Sequence, residues 1–306
     1  MPNIMNRPIE KCLGDEVKNI EEISRGYSHD YKWHVTDEQG KSYFAKASSI
    51  KEMNEKKEMF ELLEELYHQG VQLPKPINFI SDEEQQVCVQ LFEWIEGTEA
   101  ERQITELSKE NQYDLGVEAG KQLKAIHRLR KRDPKETWFD YRMDKYKRYQ
   151  KRFKEVPDHV YAGIPVEGLE NFIKKKAYLM THRPVVFMHD DYHLSNLLVK
   201  DEHLAAIVDF DRYEWGDPHH EFYKLALFSS QQSPSFSTGQ IHGYFEDDPL
   251  PEFWTRYSLY AAMVFKADLY WSYQMGDTHM EESRNRLLRI LEDHDGFTRM
   301  QPKWFG

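Results

Sequence analysis

The first part of the chain alternates apolar and polar residues in short runs, as β-strands with one buried face do. This alternation predicts strands at residues 20–24, 31–36 and 42–47, with a turn at Asp37-Glu38-Gln39-Gly40 between the last two. Strand-forming residues over a few positions, bounded by turn residues, are typical of an antiparallel sheet rather than of helices.

The next segment changes to helical spacing. Met59, Leu62, Leu63 and Leu66 fall on one face of residues 51–69, and Gly70 supplies a stop signal, so one helix is predicted there. Two further strands are predicted at 77–80 and 87–95. The pattern therefore predicts a small α+β domain over residues 1–96, with five strands and one helix after the third strand.

Most of the remaining sequence has helical periodicity. Amphipathic segments predict helices at 115–129, 141–153 and 169–180, and further helices are predicted after Pro251. Three short segments predict strands instead: 185–188, 197–199 and 205–210. Residues 97–306 are thus predicted to form a larger, mainly helical domain that carries a β-hairpin at 185–210.

Composition excludes several classes of protein. The 306 residues are 40% hydrophobic, enough for sizeable cores, and the net charge of −12 has the wrong sign for a nucleic-acid partner. Cys12 and Cys88 form no metal-ligand pair, and residues 259–271 are too short and too charged to span a bilayer. No signal peptide is visible at the start. We expect a cytoplasmic protein with no nucleic-acid or membrane partner.

The most informative polar residues lie in the hairpin. His189, Asp191 and Asn196 have the spacing H-x-D-x-x-x-x-N between two apolar strands, and Asp209 follows the third strand. A hairpin would bring Asp191, Asn196 and Asp209 to the same end. Phosphoryl transfer requires such a set: one carboxylate to orient the acceptor hydroxyl and take its proton, and oxygen ligands for Mg²⁺ on the ATP phosphates.

These requirements assign a role to each residue. Asp191 is predicted to be the catalytic base, and Asn196 and Asp209 are predicted to bind Mg²⁺. His189 is predicted to orient the loop backbone rather than to carry protons.

Two segments carry a resemblance to a known family. The sequences HDDYHLSN at 189–196 and VDFDRYEWGDP at 208–218 resemble the aminoglycoside phosphotransferase family, which has macrolide, choline and fructosamine kinases as distant relatives. QLPKP at 72–76 and LFEWIEG at 91–97 are similar to its linker and hinge segments, so the resemblance covers nearly the whole chain. It implies a bilobal protein-kinase-like fold and an ATP- and Mg²⁺-dependent small-molecule kinase.

The resemblance implies further site residues. Lys46 would pair with the ATP phosphates, and Ser28, in the loop at 26–30, would donate to them. Glu93 and Ile95 would offer a carbonyl and an N–H to the adenine edge, and Asp217 would brace the hairpin.

Two positions depart from the family pattern. Asp190 stands where the family usually has glycine, and Met59 aligns with the helix glutamate that pairs with the strand lysine. Glu55 and Glu58 are both candidates to replace that glutamate.

The acceptor is predicted from charge. Asp211, Glu214 and Glu221 follow the second metal ligand, and carboxylates in a cleft attract cations. We therefore expect a cationic, hydroxyl-bearing acceptor similar to an aminoglycoside or a macrolide. Only seven residues separate Asp209 from Asp217, too few for the activation loop of a protein kinase.

Two other functions remain open at this point. His189-Asp190 is a His-Asp pair that, with His193, Asp209, His219 and His220, could form the centre of a metal-dependent phosphohydrolase. That function leaves Lys46 and Asn196 unused. The Met59 departure instead favours a pseudokinase that binds nucleotide without turnover.

Overall fold

The structure, a computed structural model, describes residues 2–14, 17–24, 30–131 and 134–306. The chain forms two compact units, Met1–Gly97 with Ala205–Val208, and Thr98–Leu204 with Asp209–Gly306. Residues 205–208, which the sequence assigned to the larger domain, join the first unit. There the Ile207 N–H donates to the Gln72 carbonyl at 2.8 Å.

The first unit is built on the five-stranded antiparallel sheet that the alternation predicted. Its strands are β1 Val17–Glu22, β2 Tyr31–Asp37, β3 Ser42–Ser49, β4 Pro76–Asp82 and β5 Val87–Glu93. Their order in the sheet is β1-β2-β3-β5-β4. The expected helix after the third strand is also confirmed; it spans Met53–His68 and is α2 in chain order, behind α1, Pro2–Leu13.

The prediction of a single helix in this unit was wrong, because α1 precedes the sheet. Ile9 and Cys12 of α1 are buried in one core with Trp33, Val35 and other sheet residues. Polar contacts hold the same helix, since Lys11 Nζ lies 2.6 Å from Asp82 Oδ2. Packing on the sheet thus stabilises a helix that contains Pro8.

The second unit is mainly helical, as predicted. Its helices are α3 Ala100–Gln103, α4 Lys109–Ile126, α5 Trp138–Arg152, α6 Val166–Lys176, α7 Ser230–Gln232, α8 Pro234–Phe245, α9 Pro251–Met263, α10 Phe265–Met275 and α11 Asp277–Asp293. A π-helical segment covers Leu225–Ser229. In the described part of the chain, no helix combines the length and apolar character needed to cross a bilayer.

Side-chain caps mark where three helices of this unit begin. The hydroxyls of Ser108, Thr137 and Ser233 accept hydrogen bonds from backbone N–H groups in the first turns of α4, α5 and α8, respectively. Each cap satisfies a donor that has no partner within its own helix.

Short strands frame the polar loop of the hairpin. They are β6 Thr98–Glu99, β7 Val186–Met188, β8 Leu197–Lys200, β9 His203–Ile207 and β10 Glu214–Gly216. β6, β8 and β9 form one small sheet, and β10 pairs with β7 in another. The strand predicted at 205–210 therefore ends three residues early, because Asp209 adopts φ 65° and ψ 61°, which breaks the extended backbone.

Helices α4 and α8 approach so closely that their contact requires glycine. A Cβ on Gly116 or Gly120 would lie 2.1 Å from a carbonyl oxygen of α8, and one on Gly239 or Gly243 would lie 2.1–2.2 Å from a carbonyl oxygen of α4. Each helix thus presents two glycines four residues apart to the backbone of the other.

We expect Gly120→Ala to lower the free energy of unfolding by about 1–3 kcal/mol, because the two backbones must separate. The matched control is Gly168→Ala in α6, where a Cβ would meet only Pro165 Cβ at 3.7 Å. That change should be neutral or stabilising by about 0.5–1 kcal/mol, since alanine is the better helix former. Thermal unfolding of both variants tests the contact, and an unchanged melting temperature for Gly120→Ala would rule it out.

Candidate active site

The loop between β7 and β8 begins with a buried histidine. His189 Nδ1 accepts a hydrogen bond from the Asp191 N–H at 3.2 Å. Its ring contacts Phe210 and Tyr192, with centroids 4.5 Å and 5.7 Å away. This position suits the predicted role of orienting the loop backbone.

Asp190 lies in the left-handed region of backbone conformation, at φ 55°. Glycine adopts this region without strain, which explains why the family resemblance placed glycine here; aspartate is among the residues that tolerate it best. The strained turn is stabilised by Glu221, whose carboxylate accepts hydrogen bonds from the N–H groups of Asp190 at 3.1 Å and Tyr192 at 3.4 Å.

Three side chains hold the Asp191 carboxylate. Lys224 Nζ lies 2.7 Å from Asp191 Oδ1, and His193 Nε2 lies 3.4 Å from the same oxygen. The Asn196 amide donates to Asp191 Oδ2 at 3.3 Å and to the Asp191 carbonyl at 2.8 Å. The structure thus brings together the predicted base, one predicted metal ligand, and two residues to which the sequence assigned no role in base orientation.

Neighbouring charges and hydrogen bonds keep Asp191 and Lys224 ionised. Burial alone would raise the pKa of Asp191, but the hydrogen bond from His193 and the charge of Lys224 outweigh it and hold that pKa well below its usual range. Burial would lower the pKa of Lys224, but Tyr223, Asp191 and Asp190 together raise it above its usual range. At neutral pH, Asp191 is a carboxylate and Lys224 an ammonium.

Asp209 is placed by the residue that follows it. Phe210 is buried and packs against His189 and Phe187. The Asp209 carboxylate is exposed at the end of this anchored turn. Among the described residues, no hydrogen bond or ion pair joins Asp209 to Asp191 or Asn196.

The donor set fits Mg²⁺. Asn196 and Asp209 offer amide and carboxylate oxygens, which a hard cation prefers, and Mg²⁺ commonly takes its other ligands from water and phosphate. The described residues contain no cluster of three or more His, Cys, Asp or Glu side chains that could hold a metal. The imidazole-rich centre that a phosphohydrolase needs is therefore missing from that part of the chain.

Glu214 lies beside the loop between β7 and β8 because β10 pairs with β7, with Glu214 opposite Met188. Its carboxylate is 2.7 Å from Lys145 Nζ and accepts a hydrogen bond from the Tyr141 hydroxyl. Lys145 also lies 3.9 Å from Asp190 Oδ2. Asp211 lies in the helical turn after Asp209.

Two acidic residues of the same region are buried. Asp217 accepts two hydrogen bonds from Arg183, at 2.8 Å and 3.0 Å, and one from the Tyr260 hydroxyl at 2.7 Å. This position suits the predicted bracing role. Glu221 is 1% exposed and already bound to the loop backbone, so it is placed for bracing rather than for contact with an acceptor.

In the first unit, Lys46 is buried on β3 and paired with an acid that the sequence did not single out. Its Nζ lies 3.0 Å from Asp30 Oδ2, and Lys56 Nζ lies 2.9 Å from the same oxygen. Burial alone would raise the pKa of Asp30, but Lys46, Ser48 and Lys56 lower it to about 2. Met59 is a core residue of α2, whereas Glu55 and Glu58 are exposed.

The predicted adenine contacts lie at the end of β5. The N–H groups of Glu93 and Trp94 donate to the carbonyls of Lys75 and Ser42, which fixes the backbone just before Ile95. Ser28 lies outside the described residues.

Solved structures of aminoglycoside phosphotransferases are similar to this chain in fold. The crystal structure of the apo form of a thermostable mutant of aminoglycoside phosphotransferase APH(4)-Ia has a TM-score of 0.66 and 14% identity, and the match covers 95% of this chain and 99% of that one. ADP-bound APH(2'')-Ib has a TM-score of 0.65 and 16% identity, over 100% and 99% of the two chains. The gentamicin complex of APH(2'')-IIa has a TM-score of 0.64 and 17% identity, over 93% and 94%.

At these identities the likeness shows the fold alone, and it confirms the predicted α+β, protein-kinase-like class. A sequence comparison with curated proteins gives no match. A sequence model described as "Phosphotransferase enzyme family" (APH) matches residues 19–257. The chain therefore belongs to the phosphotransferase enzyme family.

Proposed function

We propose that the protein is an ATP- and Mg²⁺-dependent kinase that transfers the γ-phosphoryl group to a hydroxyl of a small molecule. The observation that carries this proposal is the Asp191 carboxylate, held at both oxygens by Lys224, His193 and Asn196. A fixed carboxylate on this loop is what orients an acceptor hydroxyl in kinases.

Asp191 would accept a hydrogen bond from the acceptor hydroxyl and take its proton as the bond to phosphorus forms. Because its pKa is low, it is a weak base, and it acts first by orientation. This is sufficient in a loose transition state, in which the hydroxyl proton becomes acidic only as the P–O bond forms.

Asn196 and Asp209 would hold Mg²⁺. The ion, when bound, neutralises charge on the ATP phosphates. Lys46 would contact the same phosphates, with Ser28 as a further donor, and the Glu93 carbonyl and the Ile95 N–H would bind adenine. Asp30 is an ion-pair partner of the Lys46 ammonium in the described structure, and we propose that the ATP phosphates replace Asp30 as that partner.

Solved structures of the same fold support the proposed binding of both a nucleotide and an acceptor. One structure is a ternary complex of APH(4)-Ia with ADP and hygromycin B, and another is a ternary complex of APH(2'')-IIa with streptomycin and ATP. We expect this chain, too, to bind a nucleotide and a hydroxyl-bearing acceptor. We also place it in the cytoplasm, where its two free, buried cysteines would stay reduced.

The acceptor class is inferred from the carboxylates beside Asp191. Glu214 and Asp190 face one lysine, Lys145, and Asp211 follows the second metal ligand. We propose that an ammonium group of a cationic acceptor replaces Lys145 on these carboxylates, with an aminoglycoside or a macrolide as the model.

The substitution Lys145→Met tests the acceptor class through the sign of its effect. If the acceptor is cationic, removal of the competing lysine should lower its KM by about two- to fivefold, the usual range for a partly exposed ion pair. The control on the same helix is Lys147→Met, whose side chain is 61% exposed and pairs with Asp144. A higher KM in Lys145→Met would show that this lysine itself binds a neutral or anionic acceptor.

The function itself is tested by incubating the protein with Mg·ATP and a panel of hydroxylated antibiotics and metabolites, while ADP release is followed. Stimulation of ADP release by one panel member supports the proposal. Nucleotide binding without turnover of any panel member or of water would favour a pseudokinase instead.

A further inference from the structure

Lys224 is a charged residue within an apolar stretch that the fold buries. It is 5% exposed, and Phe222, Tyr223, Leu225, Ala226 and Leu227 around it in sequence are buried as well. A buried ammonium is costly unless it is paired with an anion. Its short contact, 2.7 Å, is with Asp191 Oδ1.

We propose, on the basis of the proposed function, that Lys224 is the positioning residue for the catalytic carboxylate. It fixes Oδ1 of Asp191 while Asn196 fixes Oδ2, so that the carboxylate meets the acceptor hydroxyl in one orientation. Lys224 acts through Asp191, and its own contact with substrate is not required.

The surroundings of Lys224 hold the ammonium in place. Its Nζ lies 5.0 Å from the centre of the Tyr223 ring and 5.6 Å from that of Phe228. Both distances are within the range of cation–π attraction. Phe228 also packs against His193, the second side chain on Asp191 Oδ1, with ring centroids 4.6 Å apart. One aromatic ring thus supports both partners of that oxygen.

The backbone after Lys224 is an independent sign of function. The π-helix Leu225–Ser229 begins at the next residue. Such wide turns are rare and are frequently found at functional sites. Here the wide turn follows Lys224, which contacts Asp191, and contains Phe228, which contacts His193.

Charge balance gives a second reason for a lysine. Asp190 and Asp191 are adjacent, and Lys145 is shared between Asp190 and Glu214. Lys224 supplies the compensating charge on the Asp191 side. Without it, the two neighbouring carboxylates would repel each other in a poorly solvated loop, and Asp191 would lose its orientation.

The experiment is a double-mutant cycle with Lys224→Met, Asp191→Asn and the double variant. The reaction measured is ADP release from Mg·ATP. The acceptor is the compound of the hydroxylated panel that wild type phosphorylates fastest, or water if wild type phosphorylates none of them. We expect Lys224→Met to lower kcat by about 100-fold, as a misplaced catalytic group does, with KM for ATP nearly unchanged. In the Asp191→Asn background, the same change should have almost no further effect on kcat.

The variant Lys224→Arg distinguishes positioning of Asp191 from a purely structural role of Lys224. It keeps the charge and a hydrogen-bond donor, so it should regain much of the lost kcat, and melting temperatures identify any variant that fails to fold. Equal kcat in wild type and Lys224→Met, or independent effects of the two substitutions, would overturn the inference. Failure of the proposed function looks different, because then wild type itself releases no ADP.

Discussion

Replacement of Asp191 by asparagine is expected to lower kcat by about 100- to 10,000-fold, the range for loss of a general base. Asparagine retains the shape of the side chain but cannot accept the hydroxyl proton. The affinity for nucleotide should remain near that of wild type, because Asp191 belongs to the acceptor side of the reaction. Steady-state ADP release and a nucleotide titration measure the two quantities separately.

The matched control is Asp247→Asn, an exposed aspartate in the same unit, which should behave as wild type. If the Asp191→Asn variant had the same kcat as the control variant, Asp191 would not be the base. Loss of nucleotide affinity together with kcat would instead indicate that the loop had unfolded.

The second large effect is expected for Asp209→Ala. The carboxylate is exposed at the end of an anchored turn and is predicted to hold Mg²⁺, so its removal should weaken binding of Mg·ATP by about 100-fold or more. Binding of ATP in the presence of a chelator should change little, because the metal is then absent from both proteins. Calorimetric titrations with and without Mg²⁺ provide the comparison.

Two outcomes would argue against a magnesium role for Asp209. If Asp209→Ala lowered the affinity for ATP equally with and without Mg²⁺, Asp209 would support the turn at Phe210 rather than bind a metal. A stoichiometric transition metal in the purified protein, lost in His193→Ala, would favour the phosphohydrolase that the sequence left open.

Local sequence pattern was sufficient for the strands of the sheet and for the polar loop at 189–196. β2, β3 and β5 have alternating or continuous burial between turn residues, and short antiparallel connections account for the pairing of β2 with β3 and of β4 with β5. The pairing of β3 with β5 joins strands that α2 and β4 separate in sequence, so local pattern did not predict it. The spacing of His189, Asp191 and Asn196 is likewise local, and the structure brings these three residues into contact.

Helix α1 could not be predicted in the same way. Pro8 lies within it, and by local rules a proline ends or kinks a helix. Its stability comes from burial of Ile9 and Cys12 against the sheet and from the hydrogen bond that Asn78 donates to the Cys12 carbonyl at 2.6 Å. The hydrogen bond joins residues 66 positions apart, and the core partners of Ile9 and Cys12 lie in the strands of the sheet, so periodicity within a window does not register either contact.

The partners of the site acids were also beyond local pattern. Lys145 lies 69 residues before Glu214, and Lys224 lies 33 residues after Asp191. One signal was present for Lys224, since a lone charge in an apolar run must find a partner when the run is buried. No comparable signal in the sequence distinguished Glu221, which binds the backbone of the loop, from Glu214, which pairs with Lys145.

Transfer of phosphate to a hydroxyl is detected directly by ³¹P NMR of the products formed from Mg·ATP and the acceptor panel. We expect a phosphomonoester resonance that appears with wild type in step with ADP and is lost in Asp191→Asn. Inorganic phosphate as the only product with every panel member, at equal rates in the two proteins, would contradict this expectation.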